Sequence, residues 1–450
     1  MSVSEATRTS RNGSGDLARA GSGGLPEASI AESAKVLVAG MLPAVVRGLF
    51  KPRRGAMKHL TAIDADRRTV EVLSEIKRRH PGQGVRLLGG RMVVLWGPDA
   101  IREVLDRSAD LYDAGSGAKE KGMSHFQPDA LTLSHGEEWR DRRAFTESVL
   151  ATSEKVHPAG DRFVAVVADE VERLRLEGTL GWSHWEELFD RVALRVIFGD
   201  RARDDQRLTE LLEELMAKAN RIAVGEAESS DDYHELHGRM EWHLRDPEPG
   251  SLVARFADAP QTDRTRVVHQ IPHWIFATRD TLAMNAFRAL AVIAASEEVE
   301  ERVREELERD ERPYLEGCLG EAMRLWPTTP LLARETTRSA TLAGEELDEG
   351  TQVMILNTFN HRDTDEVPDA NRFRPERWAE GGRDYRFNHL SNGSQDCPGG
   401  PLVYLLGTAA LAHTLARWDL TLKQPSLDPS GDMPYMLDFF GIEFEVRPRP

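Results

Sequence analysis

Along this chain the apolar residues recur mostly every three to four positions, and short alternating runs are the exception. Val70, Val72, Leu73 and Ile76 in DADRRTVEVLSEIKRR predict a helix over 64–79. VRLLGGRMVVLW, 85–96, then reads as two short strands around Gly89–Gly90. Pro98 opens another helix through Leu105, whereas 113–133 lacks a period and reads as an irregular loop long enough to carry function. GEEWRDRRAFTESVL, 136–150, predicts a helix with Trp139 and Arg143 one turn apart on one face. More helices follow to about 220. The longest periodic run, 264–296, predicts one helix able to cross a whole domain. SEEVEERVREELERD makes a charged amphipathic helix, and YLEGCLGEAMRLWP makes another that ends at Pro327. Strands are predicted at 341–347 and 352–356, a turn-rich stretch at 360–378 and a final helix at 402–415. The pattern describes a mainly α protein with a small β region.

Composition changes that picture little. Apolar residues make up 40% and charged residues 30%, the balance of a globular protein. Residues 1–35 form a Ser/Gly/Arg-rich tail with no period, expected to be disordered, and 36–450 are expected to form a single domain. Length alone suggests two or three domains, since 450 residues exceed what one core usually supports. With 58 basic against 75 acidic residues, the net charge of −17 argues against nucleic acid as a partner. Two cysteines and no CxxC pair make neither a disulfide framework nor a zinc site, which suits a reducing, cytoplasmic compartment. No run reaches the length of a transmembrane segment. The nearest, VLVAGMLPAVVRGLF at 36–50, is broken by Pro43 and Arg47 and followed by Lys51, Arg53 and Arg54. It is expected to be a buried packing segment, with contact to a membrane surface as the less favoured alternative.

Candidate chemistry collects in three places. Cys397 lies in a Gly/Pro-rich loop, FNHLSNGSQDCPGGPLVY, ahead of an apolar helix whose N-terminal dipole end would face the sulfur. Such a loop suits a metal-bound thiolate, although a buried structural cysteine fits it as well. Within the long helix, Thr278, Arg279, Asp280 and Thr281 interrupt an apolar run, and threonines there bend helices by bonding back to carbonyls. Ala277, Thr281 and Trp274 are expected on one face. Glu321 and Arg324 stand one turn apart, a pairing common on helix surfaces. His234, His237 and His243 lie in an acidic stretch, 224–243, without metal-ligand spacing and are expected on a solvated face.

Taken together and in order, these stretches resemble the cytochrome P-450 superfamily, the haem-thiolate monooxygenases, from about residue 60 onwards. Trp139–x3–Arg143 resembles the helix that grips a haem propionate. Ala277 to Thr281 resembles the oxygen-binding groove. Glu321–x2–Arg324, with Arg377 in FRPERW, is similar to the family's structural triad, and Arg334 to the arginine reaching the second propionate. Gly393, Gln395, Cys397 and Gly399 keep the spacing of the haem-ligand loop. The resemblance implies haem b (iron protoporphyrin IX) between a long central helix and the cysteine-loop helix, with Cys397 as axial ligand to iron. It implies Asp280 and Thr281 as the catalytic acid–alcohol pair and O2 as co-substrate. It further implies oxidation of a small organic molecule with electrons from a separate ferredoxin and ferredoxin reductase. A peroxide-driven or non-hydroxylating haem-thiolate enzyme and a catalytically silent haem-binding protein are the alternatives. This chain departs from the family in four positions: Gln395 replaces a basic residue, Leu390 an aromatic and Thr278 a glycine, and Asp396 adds an acid beside the ligand. Met123, Phe126, Trp274 and Leu331 are candidate substrate contacts.

Overall fold

The computed structural model describes residues 24–115, 117–221, 231–309, 311–379 and 384–449. Helix α1 (Ile30–Val36) runs through a π turn into α2 (Leu42–Arg47), followed by α3 (Arg54–Ala62) and α4 (Ala65–Arg79). Strands β1 (Gly84–Leu87) and β2 (Met92–Leu95) form the expected hairpin, and Gly89 and Gly90 take positive φ in its turn. Then come α5 (Pro98–Asp106), β3 (Tyr112–Asp113), α6 (Gly117–Met123), α7 (Gly136–Leu150) and α8 (Gly160–Arg173). The short β4 (Thr179–Gly181) leads to α9 (Trp182–Phe198), α10 (Gln206–Ala219) and α11 (Asp231–Leu244).

The central helix begins as a 3-10 turn at Val267–Gln270, continues as α12 (Ile271–Phe276), opens into a π turn at Ala277–Leu282 and ends as α13 (Ala283–Ile293). Every residue of α13 is buried, so this segment is apolar all round and forms the middle of the core. Around it lie α14 (Glu297–Glu308) and α15 (Pro313–Leu325). Next are β5 (Leu332–Thr336), β6 (Ala340–Leu342), β7 (Glu345–Leu347), β8 (Gln352–Ile355) and α16 (Asn357–Asn360). The chain closes with α17 (Glu376–Ala379), α18 (Gly400–Arg417), β9 (Trp418–Gln424) and β10 (Glu443–Pro448).

The larger sheet has the order β1-β2-β8-β5-β3, in which β2 and β8 pair parallel and the other pairs are antiparallel. A second sheet, β4-β10-β9, joins the C-terminal strands to the start of α9, and β6-β7 is a separate hairpin. The fold is mainly α with a small β region.

Several expectations need correction. The tail was expected to run to 35; residues 1–23 lie outside the described residues, and from Gly24 the chain packs. Leu25 is buried, and Ser29 with Glu32 makes a reciprocal capping box that starts α1. The 36–50 segment is not buried throughout: Val38, Leu42, Val45, Val46 and Leu49 are exposed. The 113–133 loop contains α6 and a 3-10 turn at Leu131–Leu133. The central helix starts at 267, because Thr262 N donates to Thr265 Oγ1 in a preceding turn and Pro272 sits near the N-terminus of α12. The strand placed at 341–347 turns at Ala343–Gly344 and becomes the β6-β7 hairpin. Part of the acidic 224–243 stretch lies outside the described residues. In the rest His234 is exposed as expected, but α11 buries His237 and His243, and His243 Nε2 lies 2.9 Å from Asp205 Oδ2.

Candidate active site

The cysteine loop is positioned by its backbone. The N–H of Cys397 donates to Leu390 O at 2.9 Å, and α18 begins at Gly400, three residues after the sulfur-bearing residue. Gly393 has φ +69°, and a Cβ there would lie 2.3 Å from Leu105 O at the end of α5. Glycine at 393 is therefore required for the loop to lie against α5. Gly399 stands beside the sulfur, since a Cβ on it would be 3.9 Å from Cys397 Sγ. Cys397 itself is half-buried, whereas Cys318 is enclosed in α15, where burial raises its thiol pKa well above the ordinary value. Of the two thiols, Cys397 is the one placed for chemistry.

Helix α18 reaches the central helix at Gly407, where an added Cβ would meet Leu282 at 2.9 Å and Leu319 at 2.5 Å. Next to that contact the central helix is open. Thr281 Oγ1 donates to Ala277 O at 2.7 Å, and the backbone from Ala277 to Leu282 widens to a π turn. His273, Ala277, Thr278 and Thr281 are half-buried in a helix whose neighbours are enclosed, so this side faces an internal space. The expected partner Trp274 is elsewhere, stacked on Phe145 at 6.2 Å between ring centroids and edge-on to Phe256. Residue 273, a full turn before Ala277, shares the open face instead.

Asp280 is buried on the other side of the π turn. It pairs with Arg279 at 3.3 Å and with Lys51 Nζ at 3.6 Å. Lys51 also lies 3.1 Å from Glu213 and 3.6 Å from Glu186, while Arg279 pairs with Asp190 and, at 2.8 Å, with Glu213. Burial, opposed by Arg279, raises the Asp190 carboxyl to about 6. The buried acid is thus connected to partly exposed carboxylates by two cations, an arrangement able to pass protons inwards.

The cations expected to hold propionates differ from one another. Arg143 already has carboxylate partners: it donates to Asp396 Oδ1 at 2.7 Å, to Asp396 O at 2.6 Å and to Glu147 at 2.6 Å. It thereby clamps α7 to the carbonyl immediately before Cys397. Trp139 is half-buried on the same helix. Arg334 is buried, donates to Ser108 Oγ at 2.8 Å and Ala333 O at 2.9 Å, and has no carboxylate within ion-pair distance among the described residues. Desolvation lowers its pKa to about 10. Beside it stands Lys119 of α6, whose Nζ donates to Thr132 Oγ1 at 2.6 Å and to Ala114 O and Thr132 O at 3.0 Å. Burial, and then the neighbouring Arg334, push Lys119 down to about 7. The carboxylate acting on both is Asp113, which already accepts from Gly115 N at 2.7 Å and lies 3.1 Å from His135.

A buried cation beside a half-buried one, with so little countercharge, is costly unless an anion joins them. The Gln395 amide, in the cysteine loop, has a buried Oε1 without a hydrogen-bond partner, and its Nε2 is the end able to donate to a carboxylate. A haem fits this set. Cys397 would supply a thiolate to its iron, Arg334 and Lys119 would supply charge to its carboxylates, and Ala277 and Gly399 would leave it room.

Glu321 and Arg324 are not a surface pair. Both are fully enclosed and meet in a two-pronged bond of 2.7 Å on each prong. Glu321 also accepts from Arg374 N at 3.0 Å, Trp378 Nε1 at 3.1 Å and Arg377 at 3.3 Å. Gly317 and Gly320 let the 375–378 segment approach, since added Cβ atoms would lie 2.5 Å from Pro375 O and 2.8 Å from Trp378. The triad is linked to the cysteine loop through His361. Asn388 N donates to His361 Nε2 at 2.9 Å, so Nδ1 carries the proton and donates to Arg324 O at 2.9 Å. Asn388 Oδ1 in turn accepts from Asn392 Nδ2 at 2.8 Å, next to Gly393.

Sequence reasoning missed Lys119, Lys51, Asp190, His273 and His361. His273 was recoverable from its four-residue spacing to Ala277 and Thr281, whereas the others join the site only through tertiary contacts. The proposed substrate contacts Met123 and Phe126 are buried core residues, with Phe126 between Phe50 and Phe276. Leu331 lines a cavity of about 10 Å³ beside Val36 and Met354, away from the loop.

A family model described as Cytochrome P450 matches residues 244–437. Cyclooctat-9-en-7-ol 5-monooxygenase of Streptomyces melanosporofaciens is 24% identical over 406 residues, covering 79% of this chain and 85% of that protein. The "Probable cytochrome P450 4d20" of Drosophila melanogaster is 26% identical over 204 residues, 40% of this chain, and the match spans only 39% of that protein's length. A 6-coordinated cytochrome P450 from Thermus thermophilus has the same fold, with a TM-score of 0.65 at 20% identity over 85% of this chain and 98% of its own. The Cys397 loop and the π turn at Ala277–Leu282 agree with these matches: residues 244–437 are similar to the cytochrome P450 family, and the chain has the fold of a cytochrome P450.

Proposed function

We propose that this protein is a haem-thiolate monooxygenase that inserts one oxygen atom of O2 into a small organic molecule. The observation that carries the reading is the π turn in which Thr281 bonds back to Ala277 while Asp280 is buried and ion-paired behind it. When bound, the haem would supply O2 binding and reductive O–O cleavage, for which a cysteine thiolate is a suited iron ligand. The remaining work belongs to the protein. Cys397 would hold the iron, with Arg334, Lys119 and the Gln395 amide on the propionates. Arg143, through Asp396, keeps the carbonyl before the ligand in place.

Thr281 Oγ presents a hydroxyl to the open space, and Asp280 exchanges protons with the carboxylates that surround Lys51 and Arg279. Asp190, with a pKa raised to about 6, carries a proton part of the time near neutral pH and suits this relay. Glu321, Arg324 and Arg377 hold the loop and take no part in the chemistry. With Cys397 on the haem iron one cysteine remains, too few for an iron–sulfur cluster, which supports a separate ferredoxin and its reductase as electron donors.

Thr281→Ala tests the reading. Reduced by a ferredoxin system in the presence of a substrate that shifts the haem spin state, the variant is expected to keep consuming O2 while releasing peroxide in place of product. Unchanged coupling of O2 to product would contradict the proposal and favour a peroxide-driven enzyme.

A further inference from the structure

Helices α1 and α2 present two different faces. The inner face is anchored on α4: Val36 and Ala44 are buried, Thr69 Oγ1 donates to Ala39 O at 2.6 Å, and Arg47 pairs with Asp66 at 2.9 Å. The outer face is apolar and uncovered. Ile30 is 87% exposed, Val38 60% and Leu42 51%, followed by Val45, Val46 and Leu49. Ile30, Ala34, Val38 and Leu42 recur at four-residue steps, which places them in one stripe along the run. A row of large apolar side chains in water has no folding benefit and marks a surface that meets something.

The charge around the stripe identifies the occupant. Residues 30–79 contain eleven Lys or Arg against five Asp or Glu, whereas the chain as a whole carries −17. Lys35, Arg53, Arg54 and Lys58 are exposed, and among the described residues no carboxylate lies within ion-pair distance of them, although acids are abundant elsewhere. Arg53 is beside the stripe itself, donating to Val46 O at 3.4 Å. An apolar stripe edged by cations without carboxylate partners, on an otherwise acidic protein, matches a surface that is apolar below and anionic above. We propose that this N-terminal face docks in the plane of an anionic lipid bilayer, with the stripe in the headgroup–acyl boundary and the cations on lipid phosphates. No helix among the described residues is long and apolar enough to cross a membrane, so the contact lies along the surface. The proposal does not depend on the haem chemistry.

Co-sedimentation of the full chain with vesicles tests it, comparing phosphatidylcholine alone with an equimolar mixture of phosphatidylcholine and phosphatidylglycerol. The protein is expected to pellet with the anionic vesicles at low salt, to be released at high salt, and to stay soluble with phosphatidylcholine alone. The double substitution Leu42→Asp with Val45→Asp should weaken binding by about tenfold or more. Charge reversal by Arg53→Glu, Arg54→Glu and Lys58→Glu should abolish it. Because the altered side chains are exposed, circular dichroism and thermal unfolding are expected to be unchanged, which separates lost docking from lost folding. Absence of binding to anionic vesicles, equal binding to both vesicle types, or binding unaffected by either set of substitutions would overturn the proposal. So would a dimer in solution that Leu42→Asp dissociates, because a second copy would then cover the stripe.

Discussion

Lys119 and Arg334 are hydrogen-bonded within the protein but have no carboxylate at ion-pair distance among the described residues, and this makes them the most informative single residues. Each is a cation drawn out of water, and the one carboxylate acting on both, Asp113, is already engaged by Gly115 N and His135. If they receive the haem carboxylates, Lys119→Met should speed haem transfer to apomyoglobin by about tenfold, in keeping with about 1.5 kcal/mol for a hydrogen bond to a charged group. An unchanged transfer rate would remove Lys119 from the site. Arg143, read from the sequence as a propionate ligand, is already bonded to Asp396 and Glu147, so its substitution should loosen the Cys397 loop as well as the cofactor. The sequence allowed Cys397, Thr281 and Arg334 to be named because each stands in a recognisable order of neighbours. Lys119 sits in GAKEKGM, a lysine among glycines and charges, where nothing local distinguishes a buried cation from a solvated one.

Among the elements, the central helix was readable because of its length and its polar interruption, and the threonine bend appears where expected, at Thr281. Its partners were not readable. Helix α6 has too few apolar residues to show a period, and the 321–324 pair looks the same in sequence on a surface or in a core. Burial makes the difference. Breaking a fully enclosed ion pair from one side leaves an uncompensated charge, so Glu321→Gln is expected to cost about 3 to 5 kcal/mol by chemical denaturation. A cost below about 1 kcal/mol would mean that the pair is reached by water. Gly393→Ala tests the contact of the loop with α5. Its positive φ and the 2.3 Å approach to Leu105 O predict a loss of at least about 1 to 2 kcal/mol and reduced haem retention. A normal haem content in that variant would contradict the placement.

For the whole molecule, the pairing that assembles the larger sheet, β2 with β8, joins segments some 260 residues apart, and no local pattern announces it. The fold class was nevertheless readable from the helical period, as was the order of the site segments. Two buried histidines tie stability to pH. His361 and His237 are held neutral by burial, each with a pKa of about 3 against 6.5 for a free side chain. Below about 6.5 the unfolded chain binds protons that the folded chain refuses, so stability should fall as the pH is lowered from 6.5 towards 4 and be unaffected by these groups above 6.5. Urea titrations from pH 7.5 to pH 4.5 would show this, and His361→Gln should reduce the acid slope. A thiolate-ligated haem on Cys397 is tested by the spectrum of the dithionite-reduced protein under carbon monoxide. The native chain should show the strongly red-shifted Soret band of thiolate ligation, and Cys397→Ser should lose it. A native protein without that band, or a Cys397→Ser variant that retains it, would contradict the account.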